Sequence, residues 1–98
     1  MRQVVTVLEA RVPHGGADAL RAAYAEAAVG PLPGGLMRSQ LLRSTHDPAR
    51  WRIETLWESD EHLSRMRSEG KPKGVQMFED AGAAPALDVF EVVAEISP

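Results

Sequence analysis

Two side chains in this sequence could carry proton or hydrogen-bond chemistry from predicted helices. His62 stands near the start of the second predicted helix, one residue before the apolar Leu63, where an imidazole could titrate near neutrality and act as a general base for a phenolic proton. Tyr24 lies on the apolar stripe of the first predicted helix, where its hydroxyl could donate a hydrogen bond to a phenol or quinone oxygen. The sequence alone favours the structural alternatives, in which His62 is solvated and Tyr24 belongs to the core.

Large apolar side chains are the candidates for enclosing a small substrate. Trp51 and Trp57 fall on one face of the third predicted strand, while Met66 and Phe78 belong to helical segments that would cover this face. Such side chains line most small-ligand pockets, although they also fill small cores. We predict all four as substrate-binding residues and favour core packing for at least one tryptophan. Trp57, at the end of its strand, is the better pocket candidate.

Charged and polar side chains of the two middle strands have two interpretations. Arg38, Gln40 and Arg43 belong to the second predicted strand, and Arg52 and Glu54 to the third. An ion-pair network across a dimer interface is the preferred interpretation. Anchoring of an anionic substrate at the pocket mouth is the alternative, with Arg43 as the substrate-binding candidate.

The absence of cysteine and the spacing of the histidines and glycines exclude several kinds of site. Without cysteine, the chain has no disulfide scaffold, thiol catalysis or thiolate metal site. His14, His46 and His62 lack the short spacing of a zinc-binding pair, so no metal is predicted. The glycine pairs at 15–16 and 34–35 lack the spacing of a phosphate loop. We therefore expect no cofactor, neither flavin nor nicotinamide.

Length and composition indicate one ordinary globular domain over residues 1–98. Hydrophobic residues make up 44% of the chain and charged residues 26%, and the net charge of -3 argues against a nucleic-acid partner. No apolar run approaches the roughly 18 residues that span a bilayer, and the charged N-terminus MRQVVTVLEAR is unlike a signal peptide. We expect a cytoplasmic protein with no membrane partner.

Hydrophobic periodicity predicts the elements that must position these residues. Asp18 is expected to cap the first helix and Ser59 the second, which breaks at residues 70–72. The predicted elements are a strand over 4–12, a helix with its stripe at Leu20, Ala23, Tyr24 and Ala27, strands over 36–43 and 50–57 joined by a turn at 46–48, a helix through Leu63 and Met66, a helical piece over 75–81 and a strand over 86–96.

This order predicts the α+β fold called ferredoxin-like, βαββαβ, with a four-stranded antiparallel sheet and its helices on one face. The other face is left uncovered although it carries large apolar side chains, so we expect a second copy to cover it with its own sheet. The residues predicted on that face are Val5, Val7, Leu56, Val89 and Val93, beside Glu9, Arg11, Arg52, Glu54 and Glu91.

These features resemble the antibiotic biosynthesis monooxygenase family over nearly the whole chain. The resemblance is carried by the turn at 33–35, the Asp47-Pro48 hairpin, the step from Trp57 to Ser59, the Leu63 helix and the final strand VFEVVAEI. It implies a dimeric α+β barrel, in which two ferredoxin-like domains pair sheet to sheet. It also implies cofactor-free oxygenation of quinols or aromatic polyketide intermediates, in which an electron-rich substrate anion reacts directly with oxygen.

The chain departs from its relatives at positions that matter for chemistry. Many relatives carry histidines in and just after the second helix, where this chain has Met66 and the 70–71 region. Haem-degrading relatives use an Asn on the first strand, a Trp on the second helix and a His shortly after it. This chain has no Asn and no His after His62. The resemblance therefore does not imply haem degradation here.

Three functional hypotheses follow. The first is a homodimeric, cofactor-independent monooxygenase that acts on a hydroxylated aromatic, quinol or polyketide-type small molecule. The second is a dimeric ligand-binding or accessory domain without catalysis, favoured by the missing histidines. The third is a cofactor-free isomerase or cyclase of the same architecture. Only the first consumes oxygen, so an anaerobic assay separates it from the third.

Overall fold

The computed structural model of the protein describes residues 2–98. These residues contain four strands and three helices. No helix within those residues is long and apolar enough to cross a membrane. In chain order the elements are β1 (Val4–Arg11), α1 (Gly16–Val29), β2 (Leu36–Arg43), β3 (Arg50–Trp57), α2 (Asp60–Ser68), α3 (Lys73–Asp80) and β4 (Ala86–Glu91).

The strands form one antiparallel sheet in the order β2-β3-β1-β4. The helix α1 joins β1 to β2, and α2 with α3 joins β3 to β4, so both connections are helical crossovers. This arrangement confirms the predicted ferredoxin-like α+β fold. The bounds of β2 and β3 are also those predicted from the sequence.

The two central strands separate a buried face from an open face. Alternate side chains of β1 and β3 are buried beneath the helices, and those between them are half-buried or exposed. The buried side chains of these two strands are Val4, Thr6, Leu8, Ala10, Trp51, Ile53, Thr55 and Trp57.

Two apolar clusters, rather than one, lie between sheet and helices. The smaller consists of Val4, Trp57 and Leu63. The larger contains Leu8, Ala10, Val12, Leu20, Trp51, Ile53, Phe78, Ala81 and Ala83.

A row of three hydroxyl side chains crosses the buried face between these clusters. Thr6 on β1 lies directly opposite Thr55 on β3, and Thr55 lies opposite Ser39 on β2. We call Thr6, Ser39 and Thr55 the hydroxyl row. Because residues two apart along a strand share a face, this row interrupts the apolar face at the same level on three neighbouring strands.

The two crossover helices begin differently. Asp18 does not cap α1, because this helix begins earlier, with Gly15 as its N-cap and the Gly16 N–H donating to the Pro13 carbonyl at 2.9 Å. Asp18 lies in the first turn, where a carboxylate still meets the positive end of the helix dipole. The helix α2 begins as predicted, because the Ser59 hydroxyl accepts the His62 backbone N–H at 3.4 Å.

The last strand is shorter than the predicted 86–96. Pairing between β4 and β1 ends where Glu91 lies opposite Val4, and the Val92 N–H reaches the Gln3 carbonyl at 3.0 Å. β1 offers no partner beyond its own first residues, so the apolar sequence after Val92 continues without a strand partner in the described chain. The prediction is therefore wrong beyond Glu91.

The register of β4 also corrects which of its side chains share the open face. Phe90 pairs with Val5, so it lies on the open face, whereas Val89 pairs with Thr6 and lies on the helix side. Val93 follows the end of the paired strand. Glu91 pairs with the buried Val4 and also lies on the helix side. The predicted placement of Val89 and Glu91 on the open face is therefore wrong, and Phe90 is the large apolar residue that β4 contributes there.

An ion network crosses the open face. Arg52 donates to Glu9 at 2.6 Å and to Glu54 at 3.0 Å, and Arg50 lies 3.1 Å from Glu9. Hydrogen bonds from Arg50 and then Arg52 hold the pKa of Glu9 below its usual range, and hydrogen bonds to Glu9 and Glu54 raise the pKa of Arg52. The open face is thus apolar at Val5 and Phe90 and charged along β3.

Candidate ligand pocket

A cavity of about 770 Å³ lies between the buried face of the sheet and the helices. This volume is within the range of pockets that hold small organic ligands. Most of its wall is apolar and comes from every helix and strand of the fold. The apolar side chains of this wall include Leu8, Leu36, Ile53, Leu63, Met66, Val75, Met77 and Leu87.

The hydroxyl row forms the polar part of the cavity wall. Tyr24 reaches from α1 and donates its hydroxyl to Ser39 at 2.9 Å, and Ser39 shares a hydrogen bond of 3.1 Å with Thr55. Thr6 completes the row and accepts the Trp57 indole N–H at 3.0 Å. A mostly apolar cavity thus has one strip of hydrogen-bonding groups, which is the arrangement that fixes a ligand's orientation.

Charged side chains surround the mouth of the cavity. Arg67, Lys71 and Lys73 contribute to its wall, with Glu69 as the acidic residue among them. Lys71 is paired with Glu79 at 2.6 Å. The mouth therefore carries an excess of positive charge, which favours entry of an anionic ligand.

Three of the predicted site residues line this cavity. Tyr24 belongs to the polar strip, Trp57 closes the end nearest the smaller cluster, and Met66 lies beside it on α2. Tyr24 has the core role that the sequence favours and a second role as well. Its ring packs on the larger cluster, and its hydroxyl donates to Ser39 in the hydroxyl row.

Three others are absent from the cavity wall. Phe78 is fully buried in the larger cluster. Trp51 is buried in the same cluster, with the guanidinium groups of Arg21 and Arg43 each 5.5 Å from its ring centroid. Arg43 pairs with Trp51 in the sheet, so it lies on the helix side and not with Arg38 and Gln40 at the predicted dimer seam.

His62 also lies outside the cavity wall. Its Nδ1 is 2.8 Å from the Ser59 hydroxyl, which is fully buried. The ring packs directly against the backbone of Gly35, where a Cβ would collide with the His62 ring. His62 is thus held at the start of α2 between the helix cap and the turn that leads into β2.

The hydroxyl row itself is not evident from the sequence. Threonine and serine in a strand satisfy β-propensity, so Thr6, Ser39 and Thr55 look like ordinary strand residues. The available signal is that Thr6 and Thr55 each fall on the otherwise apolar face of a central strand. Register is needed to bring them opposite one another, and the sequence pattern alone does not fix it.

Residues 2–98 contain no cluster of three or more histidine, cysteine or acidic side chains that could hold a metal ion. The resolved pKa shifts also lie away from the cavity: those of Glu9 and Arg52 on the open face, and that of Asp47 in the hairpin turn. A hydrogen bond from Arg11 and then the Ala49 N–H hold the pKa of Asp47 low. The wall of the cavity is thus made of apolar side chains, the hydroxyl row and a few charged residues.

Comparison with known proteins assigns this chain to a family. The family model described as antibiotic biosynthesis monooxygenase matches residues 3–73. A search of curated proteins finds no match.

Solved structures share the fold over its full length. One is a mutant of SnoaB, a cofactor-independent oxygenase from Streptomyces nogalater, with a TM-score of 0.77, 16% identity and 100% of both chains covered. Another is a haem-degrading protein from Mycobacterium tuberculosis, with a TM-score of 0.70, 28% identity and 100% of both chains covered. The same small domain therefore serves different ligands in different proteins.

Proposed function

Because the chain belongs to the antibiotic biosynthesis monooxygenase family, we propose that it is a cofactor-independent monooxygenase that acts on a hydroxylated aromatic, quinol or polyketide-type small molecule. The observation that carries this proposal is the apolar cavity with a single strip of hydroxyl groups in its wall. Such a cavity can enclose a fused aromatic ring and orient one of its oxygens. The fold shared with a cofactor-independent oxygenase supports the same chemistry.

In the proposed reaction the substrate supplies the electrons. An anthrone-type substrate loses a proton to give an enolate, which transfers one electron to O₂, and the two radicals then combine to form a carbon–oxygen bond. Loss of water from the resulting hydroperoxide leaves a carbonyl group. The methylene thus loses its two hydrogens, one oxygen atom enters the product, and the other leaves as water.

The chain contributes position and environment to this reaction. The hydroxyl row, oriented by the hydrogen bond from Tyr24 to Ser39, binds the substrate oxygen, and Trp57 and Met66 exclude water from the ring. The positive mouth stabilises the anion, with proton removal assigned to water at that mouth. His62 serves as a structural residue in this proposal, because its ring is held by Ser59 and Gly35 outside the cavity wall.

Oxygen uptake tests the proposal directly. Purified, metal-free protein is incubated with anthrone or a dihydroxynaphthalene while oxygen is followed with an electrode. We expect consumption above that of heat-treated protein, and one labelled oxygen atom in the product formed under ¹⁸O₂. Turnover that proceeds without oxygen would support the isomerase or cyclase instead, and a ligand that binds but stays unchanged in air would support the accessory domain.

Haem degradation is a second candidate because of the 28% identity to a haem-degrading protein. The residues present do not fit haem. No histidine lines the cavity among the described residues, and His62 is engaged by Ser59. We expect no Soret shift when haemin is titrated into the protein, and a shift with a histidine-ligated spectrum would restore this candidate.

We further propose that the protein is a homodimer in which two open faces pack against each other. Phe90 is 52% exposed there, opposite Val5, and the ion network of Glu9, Arg50 and Arg52 lies on the same face. Burying such apolar side chains is the usual driving force for association. The cytoplasmic location stays a prediction that cell fractionation tests.

A further inference from the structure

The hydroxyl row contains more hydrogen-bond donors than the protein uses. Tyr24, Ser39 and Thr55 carry three hydroxyl hydrogens but form two hydrogen bonds among themselves. Tyr24 donates to Ser39, so the remaining free hydrogen belongs to Thr55 or Ser39, according to which of them donates in their shared bond. None of the described residues accepts this hydrogen.

Thr6 has a free donor for a different reason. An indole N–H can only donate, so the bond from Trp57 occupies the Thr6 oxygen as an acceptor and leaves its hydroxyl hydrogen unused. None of the described residues accepts that hydrogen either. The row therefore offers two O–H donors, one from Thr6 and one from the Ser39–Thr55 pair.

The two threonines of the row are buried and adjacent. Thr6 is 8% exposed and Thr55 is 7% exposed, and both contribute to the cavity wall. They lie directly opposite each other on β1 and β3, where the Cβ atoms of cross-strand neighbours are roughly 5 Å apart. Two hydroxyl groups at that spacing can donate to one ligand oxygen placed between them.

We propose that Ser39 donates to Thr55, which leaves the Thr55 hydrogen free, and that Thr6 and Thr55 together form an oxyanion-binding site for the ionised hydroxyl of an aromatic ligand. The inference rests on the proposed function for the aromatic class of ligand and adds which form of it is bound. Two donors in an apolar cavity favour a negatively charged oxygen over a neutral one. Arg67 and Lys73 in the cavity wall act in the same direction. A bound phenol therefore ionises at a lower pH than in water.

A chromogenic naphthol tests this without any oxygen chemistry. We choose 4-nitro-1-naphthol, whose phenolate absorbs visible light, and titrate it with pH in the presence of excess protein. Its pKa is expected to fall by about one unit on binding, because charge-assisted hydrogen bonds contribute an amount of that order. An unchanged or raised pKa overturns the inference, and so does a failure of the probe to bind.

Variants assign the effect to the two hydroxyl groups. Thr6→Val and Thr55→Val keep the side-chain shape but remove one donor each, and each is expected to weaken phenolate binding about tenfold. Thr6→Ser keeps the hydroxyl and should retain the shift, which separates loss of the donor from loss of packing. Thr45→Val, at an exposed position between β2 and β3, is the matched control.

The outcomes separate this inference from the proposed function. A lowered probe pKa that both valine variants abolish supports the oxyanion site even if no substrate consumes oxygen. Oxygen uptake with an unshifted probe keeps the monooxygenase and overturns the oxyanion site. A shift that persists in the Thr6→Val, Thr55→Val double variant also overturns it.

Discussion

At the scale of single residues, Tyr24 shows how one side chain can serve both core and site. Its ring packs against the larger apolar cluster, while its hydroxyl donates to Ser39 in the cavity wall. The cost of burying a tyrosine hydroxyl is thereby offset by a hydrogen bond that also orders the hydroxyl row. A substitution that removes only the hydroxyl should therefore affect ligand handling more than folding.

We expect Tyr24→Phe to lower the free energy of unfolding by about 1 kcal/mol, the usual net value of one hydrogen bond. The Michaelis constant for an anthrone substrate should rise several-fold, because Ser39 loses the donor that fixes its orientation. Urea unfolding and steady-state oxygen uptake measure the two effects. Equal kinetics for Tyr24→Phe and the wild type would show that Tyr24 acts only in the core.

At the scale of elements, the start of α2 is fixed by one buried serine. Ser59 accepts the His62 backbone N–H and pairs with the His62 ring at 2.8 Å, and the ring in turn rests on Gly35. The position of α2, which supplies Leu63 and Met66 to the cavity, therefore depends on this cap.

Ser59→Ala should lower the free energy of unfolding by about 1 to 2 kcal/mol, because a lost N-cap costs about that much. The His62 ring also loses its partner. Chemical denaturation measures the effect, and Ser64→Ala, at an exposed site within α2, is the matched control. If Ser59→Ala lowers the free energy of unfolding no more than Ser64→Ala does, Ser59 does not position α2.

The elements also show what the sequence could predict. The bounds of β2 and β3 were predictable to the residue, because β3 alternates cleanly and the Asp47-Pro48 turn separates the two strands. The end of β4 was not, because apolar alternation continues to Ile96 while the neighbouring strand supplies no partner. Strand length is set by pairing, and pairing is a property of two segments.

The site was predictable only in part, for the same reason. Tyr24, Trp57 and Met66 could be found from the apolar faces of their own elements. Thr6 and Thr55 become a site only through the register of β1 against β3, which places them opposite each other. Trp51 fits the pattern of a pocket residue equally well, yet neighbouring elements enclose it in the core.

At the scale of the whole molecule, the open face controls association in the proposed dimer. Phe90→Asp should yield a monomer, because the charged side chain would be buried against the partner's apolar residues. Sedimentation velocity measures the mass. Val29→Asp, at the exposed end of α1, should leave the dimer intact. A Phe90→Asp protein that sediments like the wild type would place the interface elsewhere.

Lowering the pH should reduce the free energy of unfolding, because it protonates carboxylates in the ion network of the open face. Hydrogen bonds from Arg50 and Arg52 lower the pKa of Glu9 in the folded state. The ionised Glu9 side chain therefore stabilises the fold above the usual carboxyl pKa range, and this stabilisation is lost as the pH falls through the folded-state pKa. Asp47 contributes in the same direction.

We therefore expect the urea midpoint to decrease between about pH 5 and pH 3. Glu9→Gln, which cannot titrate, should show a smaller decrease over the same interval. Parallel curves for the two proteins would mean that Glu9 has no part in the acid response.

The hydroxyl row that divides the core also suggests a practical screen. A domain of this size with a cavity of about 770 Å³ between its two apolar clusters forgoes contacts that a filled core would make. A molecule that fills this cavity binds the folded chain and not the unfolded one. It therefore raises the melting temperature, by an amount that grows with the logarithm of the ratio of its concentration to its dissociation constant. Thermal shift across a library of hydroxylated polycyclic compounds can therefore rank candidate substrates before any reaction is known.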